Sequence, residues 1–283
     1  MPRNEPVLQS SHDYMEEWLP KRRTFLTEVI EHEAPSGDIC SKCKGSRFKF
    51  RCLDCLYSPL LCLGCCREIH QSHPFHRIEV WKDNHFAPAW LWQLGVQVHL
   101  GHGGNVCPFR KPQEPVDAMI EPIPMAPNYI EGTTELDDDD SETEDTGQEY
   151  GWSANKPPNG YCPGATSVVF VHTNAVHHLP VFLCDCPGAK DPIAQYLELG
   201  FYPATYKQIE TVFTFQVLDD YLLSNLECHT SCHHYYAKLR RMTNRVFPKS
   251  VPVSPSPLNG YGKLNTDRIV NVNCLVLLDN GGT

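Results

Sequence analysis

The chain has 283 residues, with 24 Lys and Arg against 34 Asp and Glu, and 14 each of Cys and His. The ten acidic residues between Glu131 and Glu149 account for the whole formal charge of -10, so the remainder is balanced and overall acidity says little about partners. The first 30 residues hold no apolar signal core, and no apolar run approaches the roughly 18 residues of a membrane span, so the expectation is a soluble intracellular protein without membrane partners. In that reducing compartment fourteen cysteines point to metal rather than to disulfides.

Residues 1–36 form an N-terminal segment in which Met15, Trp18, Leu19, Leu26, Val29 and Ile30 predict two short amphipathic helical pieces, hinged near Pro20 and packed on the module that follows. The module, 37–110, carries the densest signal. Cys40 and Cys43, Cys52 and Cys55, and Cys62 and Cys65 form three Cys-x-x-Cys pairs, followed by Cys66, His70, His73 and His76. A Cys-x-x-Cys turn aims two thiolates at one metal, and a structural Zn²⁺ takes four such ligands, so four pairs supply two ions. In a cross-braced finger alternate pairs share a metal. Cys40, Cys43, Cys62 and Cys65 then hold one zinc, and Cys52, Cys55 and two of the three histidines hold the other, with Cys66 to spare. Spacing alone leaves open which two histidines take part.

Lys44, Arg47, Lys49 and Arg51 interleave with Phe48 and Phe50 between the first two pairs. Such a ribbon suits phosphates and stacked bases, and equally suits a β-ribbon with one solvated and one buried face. Arg77 to Trp81 alternates like a strand. Ala89 to Leu100 reads as a short helix running into the Gly101–Gly104 turn, which lacks the Lys-Ser/Thr of a phosphate loop.

Residues 111–160, rich in Pro, Asp, Glu, Thr and Gly, read as a disordered acidic insertion. In 161–247, the runs Ser167 to His172 and Val176 to Cys186 predict a hairpin turning at Thr173-Asn174. Asp191, Pro192 and Gly200 mark the start and stop of a helix, and Val212 to Leu226 and His233 to Arg245 read as a helical pair. Residues 248–283 stay unassigned. The fold class is α+β: a small zinc-stabilised, cross-braced finger of B-box or ZZ type, with the hairpin and C-terminal helices beyond the insertion.

Cys107, Cys162, Cys184 and Cys186 make a further set. Alternate strand residues face opposite sides, so Cys184 and Cys186 can share a metal only at a bend, which Pro187 and Gly188 can supply. Cys107 and one of His172, His177 or His178 would complete a third zinc site. Cys228, His229, Cys232 and His233 have helical metal spacing but no partner pair, and read as polar positions at a helix junction.

The stretches "CLDCLYSPLLCLGCC", "HPFHRIEVW", "LGVQVHLGHGGNVCP", "HLPVFLCDCPGA" and "LGFYPATYKQIETVFTFQVLDDY" closely resemble the CxC-type cysteine cluster associated with the KDZ (Kyakuja-Dileera-Zisupton) transposases of fungi. The resemblance spans roughly residues 14 to 245. It implies a zinc-chelating module that precedes a DDE-type transposase domain, with His70 and His76 as ligands, His73 incidental, and Cys107, His177, Cys184 and Cys186 at the further site. The chain ends at Thr283 without room for a catalytic domain, so the expectation is a non-enzymatic, stand-alone or truncated accessory module, nuclear rather than cytoplasmic. Its expected partner is transposon DNA or a transposase, with no small-molecule substrate. The alternative is a B-box or ZZ-like module that binds a peptide or protein.

Overall fold

The computed structural model describes residues 11–110, 157, 161–205, 207–245, 248 and 251. The acidic insertion and the tail therefore lie outside the described residues, apart from Pro157, Pro248 and Val251.

Helices α1 (Ser11–Trp18) and α2 (Arg22–Glu31) are joined by a single 3-10 turn, Leu19–Lys21. Pro20 sits at the start of that turn, where its missing N–H is not needed, and Trp18, Lys21 and Arg22 keep right-handed helical torsions. The two pieces thus run on as one rod. The expected packing on the finger is not found: neither helix buries a residue, and Met15, Trp18, Leu19, Leu26, Val29 and Ile30 are between 42 and 65 % exposed. At the foot of the rod, Glu33 pairs with Arg51 at 2.8 Å.

The finger is an antiparallel sheet of β1 (Phe50–Cys52), β2 (Leu60–Leu61), β3 (Ile78–Lys82) and β4 (His85–Ala89) in the order β2-β1-β3-β4, with α3 (Leu63–His70) beside it. Asp83 and Asn84 both take positive φ in the two-residue turn of the β3–β4 hairpin, a conformation Asn and Asp tolerate. Pro88 is accommodated because β4 is an edge strand.

No helix forms over Ala89–Leu100. One 3-10 turn, Leu91–Leu94, ends at Gly95 with φ 81, and the short strand β5 (Val98–His99) follows. The reason lies in the period of the apolar residues: Leu94, Val96, Val98 and Leu100 are all buried at every second position, which suits an extended chain.

Strand β5 then joins a mixed sheet built from the other side of the insertion. It contains β6 (Thr166–His172), β7 (Ala175–Phe182), β8 (Phe201–Pro203) and β9 (Thr211–Thr214) in the order β5-β7-β6-β9-β8. The β6–β7 hairpin turns at Thr173 and Asn174, with His172 opposite Ala175. β5 runs parallel to β7, and β9 parallel to β6.

Helix α4 (Pro192–Glu198) starts at Asp191, whose carboxylate accepts from the amides of Ile193 and Ala194, and Gly200 follows it with φ 77. Helix α5 covers Phe215–Cys228, later than the expected start at Val212, because Thr211-Val-Phe-Thr is a strand and the Thr214 hydroxyl caps the amide of Val217. Helix α6 is Cys232–Thr243.

One apolar core runs from the finger (Phe50, Leu61, Ile78) through Leu91, Trp92 and Leu94 to Val168, Phe170, Leu179 and Val181 of the sheet. The two sequence segments flanking the insertion are therefore one packed body. A second cluster seats α5 and α6 on the opposite face through Val171, Val176, Val217, Tyr221, Tyr235 and Leu239, and it takes in Val251, past the expected boundary at 247.

Candidate metal centres

Three groups of four side chains bring their donor atoms within 4.8 Å of one another: Cys40, Cys43, Cys62 and Cys65; Cys52, Cys55, His70 and His76; and His102, Cys107, Cys184 and Cys186. Tetrahedral zinc with Zn–S of about 2.3 Å and Zn–N of about 2.0–2.1 Å places sulfurs about 3.8 Å apart, and a sulfur and a nitrogen about 3.6 Å apart. The observed separations bracket these values and far exceed the about 2.05 Å of a disulfide.

The first group forms where the knuckle after Ile39 meets the start of α3. Cys43 and Cys62 sulfurs lie 3.9 Å apart. Cys62 is the residue before α3 and Cys65 lies in its first turn. Burial opposes ionisation of Cys40, yet the amides of Cys43, Cys62 and Lys42 hold its thiol down at about 6, while burial pushes Cys65 up to about 12. Crowded sulfurs of this kind cannot all be anionic unless a cation neutralises them, and the donor set fits zinc.

The second group takes Cys52 from β1, Cys55 from the following loop, His70 from the last turn of α3 and His76 from the loop before β3. Cys55 Sγ lies 3.3 Å from His76 Nδ1 and 3.7 Å from His70 Nε2, and Cys52 Sγ lies 3.2 Å from His70 Nε2. His70 Nδ1 donates to the Cys66 carbonyl at 2.7 Å, which fixes the tautomer and leaves Nε2 for the metal. Burial lowers the pKa of both His70 and His76, so the neutral ring is the form presented. Helix α3 supplies Cys65 to one group and His70 to the other, and so cross-braces the finger. His73 stays exposed, with Nδ1 near the Ile69 carbonyl and the Ser72 hydroxyl, outside the group. Cys66 is fully buried beside His70, and burial raises its thiol pKa, as befits a spare cysteine.

The third group spans the insertion. His102 Nε2 lies 3.2 Å from Cys184 Sγ and 3.3 Å from Cys186 Sγ, and Cys107 Sγ lies 3.9 and 3.6 Å from the same two sulfurs. The Asp185 and Phe109 amides hold the Cys107 thiol at about 6 although burial opposes this. Arg110 pins the Cys184–Cys186 bend: its guanidinium donates to the Leu183 carbonyl at 2.9 Å, pairs with Asp185 at 2.7 Å and lies 4.5 Å over the Phe182 ring. The Cys184 amide donates to Gln195 Oε1 at 2.7 Å.

His177 does not join this group, contrary to the assignment the resemblance implied; His102 takes the place. His177 lies in the middle of β7, buried, with Nε2 donating to Asn174 Oδ1 at 3.0 Å and its ring 5.7 Å from that of Phe75. His102 was missed because it stands in a glycine-rich turn. The signal was its position five residues before Cys107, in a turn where Gly101, Gly103 and Gly104 take positive φ freely and His102 takes φ 46.

The other candidates stay apart from the three groups. His172 Nδ1 meets the Thr214 hydroxyl at 2.9 Å, Cys162 is buried with Gln97 Nε2 donating to its sulfur at 3.5 Å, and Cys228 is exposed. His178 is buried in β7, and Cys232 lines the small apolar cavity between the sheet and α5–α6. In the basic ribbon, Arg51 is held between Glu33 and Glu79 and lies 4.0 Å over the Phe86 ring. Phe48 packs near Trp81 and Phe86, and Phe50 is buried. Lys44, Arg47 and Lys49 are exposed.

Among the described residues no helix is long and apolar enough to cross a membrane. Residues 150–246 match a protein-family model described as a CxC2-like cysteine cluster associated with KDZ transposases. That region begins beyond the first eight metal-site residues and contains Cys184 and Cys186 but neither His102 nor Cys107. No curated protein and no solved structure gives a significant match.

Proposed function

We propose that this chain is a non-catalytic, zinc-binding recognition module of KDZ-type transposon origin, acting in the nucleus on a transposase or on transposon DNA. The observation that carries the reading is that each of the three groups is complete with four protein donors. Hydrolytic zinc keeps a coordination position open for water beside a base, whereas a full set of Cys and His donors builds structure. Zinc at these sites would hold the finger and the Cys184–Cys186 bend in shape, leaving surface for recognition.

Between the two partners, the exposed apolar side of the α1–α2 rod favours the protein. Met15 and Trp18 on α1 and Leu26, Val29 and Ile30 on α2 are exposed apolar residues at three- and four-residue spacing within each helix, the form in which a helix enters an apolar groove. A B-box or ZZ-like peptide-binding role is the neighbouring version of this reading. The DNA reading rests on Lys44, Arg47 and Lys49, with Arg241 and Arg245 exposed on and just beyond α6, but Arg51 is already neutralised by two carboxylates.

The test pairs two assays on the zinc-loaded chain: capture of the transposase encoded at the same locus, and a gel shift with transposon-end DNA at two salt concentrations. Trp18→Ser with Leu26→Ser should abolish capture and leave the gel shift unchanged. Capture that survives these changes would sink the protein-partner reading. Salt-sensitive DNA binding that Lys44→Ala, Arg47→Ala and Lys49→Ala weaken would replace it with the DNA reading.

A further inference from the structure

The second candidate metal centre is met by a side chain from the other side of the insertion. We infer that Asn174 is a positioning residue for that centre, clamping both ligand-bearing loops of the finger to the β6–β7 hairpin.

Asparagine in a two-residue hairpin turn is commonly explained by its tolerance of the left-handed region. That explanation does not apply here, because among the described non-glycine residues positive φ occurs at Lys44, Tyr57, Ser58, Asp83, Asn84, His102 and His229, and not at Thr173 or Asn174. The side chain gives the reason instead. Asn174 Nδ2 donates to the Phe75 carbonyl at 2.9 Å and to Asp54 Oδ2 at 3.2 Å, while Oδ1 accepts from His177 Nε2 at 3.0 Å. Every polar atom of the amide is used. Both partners of Nδ2 are acceptors only, which fixes the orientation of the amide, and Oδ1 then selects the His177 tautomer that carries its proton on Nε2.

The two acceptors are placed where they matter to the metal. Phe75 precedes the ligand His76, and Asp54 lies between the ligands Cys52 and Cys55. Asp54 also accepts from the Arg77 amide at 2.6 Å and from the Arg77 guanidinium at 2.7 Å, so the His76 loop is held on both sides of the ligand. The Phe75 ring adds an apolar anchor, with centroids of Phe170, His172, His177 and Phe201 at 4.8 to 5.8 Å. Asn174 is 120 residues from Asp54 in sequence, so this is tertiary structure aiming a ligand pair rather than a local turn doing so. Groups bonded directly to a metal ligand typically contribute about 10- to 100-fold to its affinity, and Asn174, which reaches the ligands through Phe75 and Asp54, should contribute at the lower end, about 10-fold. The His177 ring, which holds no metal, acquires a role as the group that orients the amide.

Coupling between the hairpin and the centre must act in both directions. The experiment uses the full chain, loaded with Co²⁺ and titrated with Zn²⁺. The three centres differ in thiolate number, so their cobalt absorption bands are separable. Asn174→Ala, and Asn174→Asp, which keeps the acceptor for His177 but removes both donors, should weaken the Cys52–Cys55–His70–His76 centre by about 10-fold and leave the other two unchanged. On the unaltered chain, amide exchange across residues 170–178 should accelerate as that centre is emptied, a reading that does not depend on either variant folding. A uniform loss of affinity at all three centres would show a general stability effect and overturn the assignment. Unchanged affinity at the second centre, or a hairpin whose exchange ignores the metal, would overturn it equally.

Discussion

Gly101 offers the sharpest single-residue test of the third centre. It takes φ +75, and a Cβ there would lie 2.9 Å from Cys184 Cβ and 3.6 Å from Cys184 Sγ. Carbon atoms in contact sit about 3.5–4.0 Å apart, so Cys184 would have to retreat by roughly 0.5 Å or more. It is not free to do so, since its amide is bonded to Gln195 Oε1 and the bend it belongs to is pinned by Arg110. Metal–ligand distances tolerate only about 0.2 Å. Gly101→Ala should therefore cost about 1–3 kcal/mol, because φ 75 with ψ 177 is a conformation that essentially only glycine adopts, and in addition eject the metal. Gly103 serves as the clash-free comparison: its φ 62 and ψ 31 are left-handed helical with nothing within 4 Å of its Cβ position, so Gly103→Ala carries a torsional cost of about 1–2 kcal/mol and no contact with a ligand. Zinc per chain, measured by plasma mass spectrometry on gel-filtered protein, should fall from about three to about two for Gly101→Ala and stay near three for Gly103→Ala. If both variants retain the same zinc and melt at the same temperature, the third centre is not built as described.

Cys52→Ser should empty the second centre, whereas Cys66→Ser should keep all the zinc and lose only about 1–3 kcal/mol for a buried, poorly bonded hydroxyl; zinc analysis and thermal melting distinguish them. Burial holds His177 down at about 3, below its ordinary 6.5, so the unfolded chain takes up the proton first: the stability this residue confers is complete above about pH 6.5 and declines as pH falls. At pH 5 the loss is about 2 kcal/mol, and urea unfolding at saturating zinc should show a shallower decline between pH 7 and 5 for His177→Gln than for the unaltered chain. Proteolytic cutting between 111 and 160 should leave the two halves together on size exclusion, because β5 and the core join them as well as the third centre; halves that separate with zinc bound would refute the shared body.

The two finger centres were legible because each ligand pair is local. A Cys-x-x-Cys knuckle fixes two donors within four residues, and the histidines follow on one helix and its exit loop, so spacing nearly determines the assignment. Spacing could not choose between His70 and His73. The helix does, since the Cys66 carbonyl one turn back turns the His70 ring toward Cys52. The third centre was half legible: Cys107, Cys184 and Cys186 stand out as cysteines, but its histidine comes from a turn whose glycines signal backbone freedom more loudly than His102 signals a ligand.

Three of the strands that went unread have separate physical reasons. Pro88 masks β4, and an edge strand alone explains its presence. Residues Thr211–Thr214 run into α5 without a polar break, so the apolar spacing reads as an earlier helix start, although Thr214 is a good cap three residues before Val217. β5 has two residues, and its identity comes only from its partner β7 across the insertion. Conversely, the apolar stripe on the α1–α2 rod was read as a core face, and it is the one amphipathic surface among the described helices that buries nothing. Amphipathicity reports that a face wants cover; it does not say whether the cover belongs to the same chain.

The position of the insertion ties these observations together. The region matching the family model, 150–246, holds the hairpin, β8, β9 and α4 to α6, yet the sheet it builds takes its β5 edge strand from before the insertion. Cys184 and Cys186 likewise face two donors, His102 and Cys107, that lie outside the match. Phe170, Leu179 and Val181 pack in one core with Leu91, Trp92 and Leu94, so the matched region would expose that face if it stood alone. Asn174 in turn bonds Asp54 and the Phe75 carbonyl, beside Cys55 and His76 of the finger. Each side of the insertion therefore supplies donors or hydrogen bonds to a candidate metal group on the other, and the two segments share one core and one sheet.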